Sequence, residues 1–297
     1  MPQVTNDGVT LEYETAGSPE DPPLLLVAGF AAQLIAWPRG FCELLAAGGR
    51  FVIFFDNRDC GLSSKLDGRD ANLPQVIAAA SAGDAARARE LAPYTLGDMA
   101  GDALALLDAL GIERAHVVGA SMGGMIAQTM AIEHPERLLT LTSMMSTTGE
   151  PGYGRSTPEA QQALLTPAPA DREGYIEAAA RSLVWRSRRY PEPAGVRELA
   201  AESFDRCYSP DGASRQLAAM IASGSRAEAL RHLSVPTLVI HGLDDTLIAP
   251  SGGERTAELV PGARLELLPD MGHDRPRPLW PGIAGHILEH TAGPGGR

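Results

Sequence analysis

The sequence predicts an α/β fold, a mostly parallel sheet flanked by helices, with one helical insertion. Three observations carry this. Four apolar runs, LLLVA (24–28), FVIFF (51–55), AHVVGA (115–120) and TLVIH (237–241), are nearly continuous rather than alternating, as in strands buried on both faces. Amphipathic segments separate them. From about 147 to 232 the chain is rich in Ala, Arg, Glu and Pro and shows no strand-like run.

Taken in order, TNDGVTLEYETAG alternates at Val9, Leu11 and Tyr13, the pattern of an antiparallel hairpin at a sheet edge. The runs at 24–28 and 51–55 follow as buried strands, and 65–94 is expected to be irregular and to meet the insertion at the mouth of a site. Leu96, Met99, Ala103, Leu106, Leu107 and Leu110 recur at helical spacing, with Thr95 as N-cap, Asp98 in a capping-box position and Gly111 as the stop. AHVVGA then runs into a sharp turn at GASMG (119–123) and a helix, followed by a strand at LLTLTSMMS (138–146). After the insertion come a strand at 237–241, another at Leu265–Leu268, and a helix striped by Trp280, Ile283, Ala284, Ile287 and Leu288. The division is therefore 1–146 and 233–297 as core, with 147–232 as a helical cap. The tail AGPGGR (292–297) is expected to fray.

Composition narrows the function. The 297 residues carry a formal net charge of -12, which disfavours nucleic acid and anionic membrane surfaces as partners. Cys42, Cys60 and Cys207 are odd in number, widely spaced and lack a C-x-x-C, so no disulfide framework is expected and a reduced cytoplasmic setting is the default. Cys42 and Cys60 are expected to pack as small apolar residues. The first residues have neither a basic nor an apolar leader pattern, and LLLVAGFAA (24–32) is too short to span a bilayer.

The turn at 119–123 carries the chemistry. A strand that stops on Gly-Ala-Ser-Met-Gly and becomes a helix at once puts Ser121 at the apex of a crowded turn, its hydroxyl standing above the sheet. Ser121 could instead serve as an N-cap. A dinucleotide fold also has a Gly-rich turn between strand and helix, but it requires G-x-G-x-x-G and an acid ending the next strand. Position 121 is Ser and the strand 138–146 holds no acid, so no nucleotide cofactor is expected.

A serine nucleophile needs a base, and the base needs a carboxylate to orient it. Both follow Ser121 in the expected order at strand ends: Asp244 and Asp245 after the strand at 237–241, and His273 in the loop after Leu265–Leu268. Two backbone N–H donors complete the set, that of Met122 after the nucleophile and that of Phe30 after the strand 24–28, with Gly29 leaving the backbone accessible.

These stretches, namely LLLVAGF (24–30), FFDNRDCGLS (54–63), YTLGDMAGD (94–102), HVVGASMGGMIAQ (116–128), PTLVIHGLDD (236–245) and MGHDRP (271–276), resemble the α/β-hydrolase-fold serine esterases, and among them the aclacinomycin methylesterase-like hydrolases. The resemblance implies the α/β-hydrolase fold, Ser121 as nucleophile, His273 as base and then acid, and Asp245 rather than Asp244 as orienting carboxylate. It also implies a small-molecule ester substrate, a methyl ester on a bulky polyketide-like scaffold. Many relatives carry His-Gly before the oxyanion residue where this chain has Ala28-Gly29, and a backbone donor survives that change.

The segment Asp56, Arg58, Gly61 and Ser63 is expected to be a turn packing under the site. His286 and His290 stand i, i+4, but no third ligand is near, so two exposed histidines and no metal are expected. Tyr175, Trp185, Tyr208 and Met220 lie on the insertion as candidates for pocket lining or for its own core. Perhydrolases, C–C hydrolases and proline iminopeptidases share the triad, and a non-catalytic ligand receptor could share the fold. Enzymes of this fold with an aspartate nucleophile are excluded by Ser121. A homodimer stays open.

Overall fold

The computed structural model describes residues 2–6 and 8–293. Its strands are β1 (Gln3–Asn6), β2 (Val9–Ala16), β3 (Pro23–Val27), β4 (Phe51–Phe55), β5 (Ala115–Ala120), β6 (Leu138–Met144), β7 (Thr237–Gly242) and β8 (Arg264–Leu268). They form one sheet in the order β1-β2-β4-β3-β5-β6-β7-β8. β2 pairs antiparallel with β1 and β4, and every pair from β4 to β8 is parallel.

The continuous apolar runs are explained by two cores. Leu25, Val27, Ile53, Phe55 and Val117 point to one face, where α4 (Leu96–Ala109) and α5 (Met122–Glu133) cover them. Leu24, Leu26, Val52, Phe54 and Val118 point to the other, against α1 (Arg39–Ala47) and α12 (Trp280–Thr291). Successive residues of one strand thus feed opposite cores, so each must be apolar. Cys42 and Cys60 are buried, and burial pushes both thiols up to about 12.

α4 starts as its sequence dictates. The Asp98 N–H donates to Thr95 Oγ1 at 3.3 Å, and the Asp98 carboxylate accepts the Thr95 N–H at 2.7 Å. Gly111 beyond its end has a φ of 71°. The stretch 65–94 differs from expectation. It folds into α2 (Leu73–Ser81) and α3 (Ala85–Leu91), whose Val76 and Ala88 pack on Ala218 and Ala222. Alanine side chains make a contact surface too weakly patterned to be read as a stripe. Between β6 and β7 lie α6 (Pro158–Leu165), α7 (Arg172–Ala178), α8 (Pro193–Arg206), α9 (Pro210–Ser223) and α10 (Ala227–Leu230), and α11 (Ser251–Leu259) joins β7 to β8. No helix among the described residues is long and apolar enough to cross a membrane. The tail's last residues, 294–297, lie outside the described residues.

His116 sits inside β5, its Nδ1 2.9 Å from Thr140 Oγ1 on β6. Burial, then the charges of Arg50 and His290, lower its pKa from 6.5 to about 4. In the unfolded chain this imidazole takes a proton near 6.5, which the fold resists until about 4. Its contribution to stability is therefore whole above 6.5 and lost as the pH falls toward 4. Denaturant midpoints measured across that window should fall less steeply in His116→Gln than in the parent. Equal slopes would refute the assignment.

Candidate active site

β5 ends at Ala120 and α5 begins at Met122, so Ser121 alone makes the turn, with φ 56° and ψ -120°. A non-glycine residue there stores roughly 1–3 kcal/mol of strain. The surroundings hold it. Its N–H donates to the Met144 carbonyl at 2.9 Å, and its own carbonyl accepts from Ser146 Oγ at 2.8 Å. A Cβ on Gly119 would strike the Gly123 carbonyl, and one on Gly123 would strike the Val27 carbonyl, so both must be glycine. The hydroxyl is left uncommitted. Among the described residues Ser121 Oγ makes no hydrogen bond, and Ser121 lines a cavity of about 1100 Å³.

Two N–H groups beside it are free as well. Met122 opens α5, where a helix has no internal acceptor, and Phe30 follows β3 in a loop. Neither N–H donates to an acceptor among the described residues. Gly29 and Phe30 both line the cavity, and a Cβ on Gly29 would lie 3.3 Å from Ser121 Cβ.

His273 lines the same cavity, and its Nδ1 is 2.7 Å from Asp245 Oδ2. The carboxylate is only 3 % exposed, and its second oxygen accepts the N–H groups of Leu247 and Ile248, each at 2.9 Å. Burial pushes the Asp245 pKa up, but the charge of His273 and contacts from His241 and His273 outweigh it and hold the group at about 2. It is ionised at any working pH. Asp244, its neighbour, turns away and accepts the Arg188 N–H at 3.1 Å.

The His273 N–H donates to the Trp185 carbonyl at 2.6 Å, which ties the histidine loop to the helical segment. Its ring faces the cavity that Ser121 lines. No hydrogen bond joins Ser121 Oγ to the imidazole among the described residues; such bonds in unliganded sites are often long and tighten when substrate binds.

His241, at the end of β7, is not marked by the sequence as a neighbour of Asp245, because a histidine closing a strand has no distinctive spacing. It is fully buried, with Nε2 2.8 Å from the Ile248 carbonyl and 3.4 Å from Asp245 Oδ2. Facing two acceptors, Nε2 carries the proton, and His241 adds a second imidazole against the Asp245 carboxylate.

The other expected residues fall in two groups. Gly29 and Trp185 line the cavity. Tyr175 and Tyr208 pack around Phe204, with ring centroids 5.5 and 5.0 Å from it, and Met220 packs on the core beneath the sheet face that α4 covers. Asp56 and Ser63 are buried under the site, Asp56 accepting the N–H groups of Leu34 at 2.6 Å and Leu62 at 2.8 Å. The two C-terminal histidines depart from expectation. Neither is exposed: His290 Nε2 lies 3.2 Å from the Leu141 and Pro236 carbonyls, burial lowers its pKa, and His286 faces Glu266 at 3.6 Å. Their helix lies on the sheet face, so His290 reaches a carbonyl of β6 and His286 reaches Glu266 of β8, which a stripe of apolar residues alone does not reveal.

A family model for the alpha/beta hydrolase fold matches residues 22–274. Rhodomycin D methylesterase of Streptomyces peucetius is 32% identical, with 97% of each chain covered. A solved hydrolase of Pseudomonas aeruginosa superposes with a TM-score of 0.72 at 27% identity, over 98% of this chain and 97% of its own. The enol-lactonase of Burkholderia xenovorans shares the fold, with a TM-score of 0.73 at 21% identity over 98% of this chain and 100% of its own.

Proposed function

We propose, since the chain belongs to the α/β hydrolase family and is a hydrolase, that it cleaves carboxylic esters through an acyl intermediate on Ser121. His273 Nε2 takes the hydroxyl proton as Oγ attacks the ester carbonyl carbon. Asp245 holds the ring with its proton on Nδ1 and offsets the charge the ring gains. The carbonyl oxygen, negative in the tetrahedral intermediate, meets the N–H groups of Met122 and Phe30. His273 then returns the proton to the departing alkoxide, and the alcohol leaves. A water activated by the same imidazole attacks the acyl-serine, and the acid is released with Ser121 restored.

The observation that carries this reading is the 2.7 Å contact between His273 and a buried, ionised Asp245, beside a cavity that also exposes Ser121. Helices 147–232 act as a cap. Leu164, Trp185 and Leu199 from that segment, with Leu34, Trp37 and Trp280 from the core, give the cavity apolar walls. Its volume, about 1100 Å³, slightly exceeds the roughly 300–1,000 Å³ usual for ligand sites.

Together with the methylesterase relative, this supports a methyl ester on a bulky polyketide-like scaffold as the substrate. A panel of methyl, short-chain and aryl esters tests it. Methyl esters of bulky polyketide-like acids should exceed p-nitrophenyl acetate in kcat/KM by roughly 10-fold or more, because contacts remote from the reacting carbon are used in the transition state. Equal rates on all esters, or turnover confined to perhydrolysis, C–C cleavage or amides, would contradict the substrate class.

A further inference from the structure

We propose that Gln216, on α9 of the helical segment, is a positioning residue for the loop that presents the Phe30 N–H. This rests on the reading of Phe30 as an oxyanion donor. The Ala32 N–H donates to the Gly29 carbonyl at 3.3 Å, closing a tight turn with Phe30 and Ala31 at its centre. Ala31 has a φ of 51°, a left-handed value at the turn position that glycine or asparagine normally fills. Left alone, an alanine peptide there relaxes to the right-handed side, and the Phe30 peptide moves with it.

Gln216 prevents that. Its Oε1 accepts the Ala31 N–H at 2.8 Å, and its Nε2 donates to the Arg58 carbonyl at 2.8 Å, so both ends of the amide are fixed. The side chain is only 1 % exposed, so water cannot take over the Ala31 N–H if the amide is removed.

The rest of the loop is held from the same side. Gln33 Nε2 donates to the Ser203 carbonyl at 2.7 Å and the Cys207 carbonyl at 2.9 Å. Arg206 at the end of α8 donates to Gln33 Oε1 at 2.8 Å and to Asp56 Oδ2 at 2.6 Å. The second half of the helical segment is thus part of the scaffold of the oxyanion loop. The residues of that segment that line the cavity, Leu164 to Glu202, precede these ties.

The test is Gln216→Leu, which keeps the volume and removes the acceptor. Displacing one transition-state donor should lower kcat roughly 10- to 100-fold. KM should stay within about twofold, because the donor acts on charge that develops after binding. A reversible boronic acid, which forms a tetrahedral adduct on the serine, should bind weaker by a similar factor. Unchanged kcat per fluorophosphonate-titrated site would overturn the proposal, as would equal losses of binding for ground-state and tetrahedral ligands.

If Gln216→Leu does not fold, amide hydrogen exchange in the parent protein decides. The Ala31 amide should be protected and the Phe30 amide not, whereas equal exchange would show that the tie is absent. Failure of the parent to label at Ser121 would sink the esterase reading itself. Normal labelling with unchanged turnover in Gln216→Leu would sink this proposal alone.

Discussion

Ser121→Ala should lose turnover by roughly 10⁶-fold on any ester the parent hydrolyses, the scale on which a triad nucleophile fails when truncated. The same protein should remain folded. Alanine can occupy the turn at φ 56° as well as serine can, and the ties that hold the turn run through the backbone of residue 121. The hydroxyl makes no hydrogen bond among the described residues, so its removal leaves no buried partner unsatisfied. Steady-state kinetics and a thermal melt on the same preparation check both halves. A midpoint within about 1 °C of the parent, equivalent to less than about 1 kcal/mol for a chain of this size, should accompany the lost activity. Retained ester hydrolysis would place the nucleophile elsewhere.

Asp245→Asn should cost roughly 10⁴-fold in kcat while leaving the fold intact, as in serine-protease triads. The reason is geometric. Asp245 Oδ1 accepts two N–H groups, those of Leu247 and Ile248, and an asparagine satisfies them only by turning its carbonyl oxygen that way. Its NH2 then faces His273 Nδ1 and donates to it. The ring is forced into the tautomer with its proton on Nε2, which can no longer accept from Ser121. The substitution also removes the charge that favours the imidazolium. Nitrogen-15 spectra of histidine-labelled protein should show the tautomer reversed in step with the loss of kcat. Activity within about tenfold of the parent would mean that Asp245 does not orient the base.

Much of this was legible in the sequence for identifiable reasons. β3, β4, β5 and β7 feed two cores and are therefore apolar at nearly every position, which no amphipathic helix imitates. The turn at Ser121 needs Gly119 and Gly123 because backbone carbonyls occupy the space of their side chains. Asp245 and His273 are readable from chain order, since each follows a parallel strand and the ends of parallel strands gather along one side of the sheet.

The rest was hidden because it depends on distance in space. Ala31 and Gln216 are 185 positions apart, and nothing local marks either. His241 is a strand-end histidine until the chain folds and sets it against Asp245. Tyr175, Trp185 and Tyr208 are equally aromatic, yet one lines the cavity and two pack on Phe204, a choice made by how α7 and α8 meet. Residues 65–94 gave no stripe because Val76 and Ala88 are the main buried contacts of two short helices.

In the proposed mechanism Ser121, His273 and Asp245 work as one unit in which the serine becomes covalently modified. Its most direct test is to treat the folded protein with a fluorophosphonate and map the adduct by peptide mass spectrometry, with Asp245→Asn as comparison. A single adduct on the peptide carrying Ser121, formed far more slowly in Asp245→Asn, is the predicted result. An adduct on another residue, or none in protein that still hydrolyses esters, would contradict it.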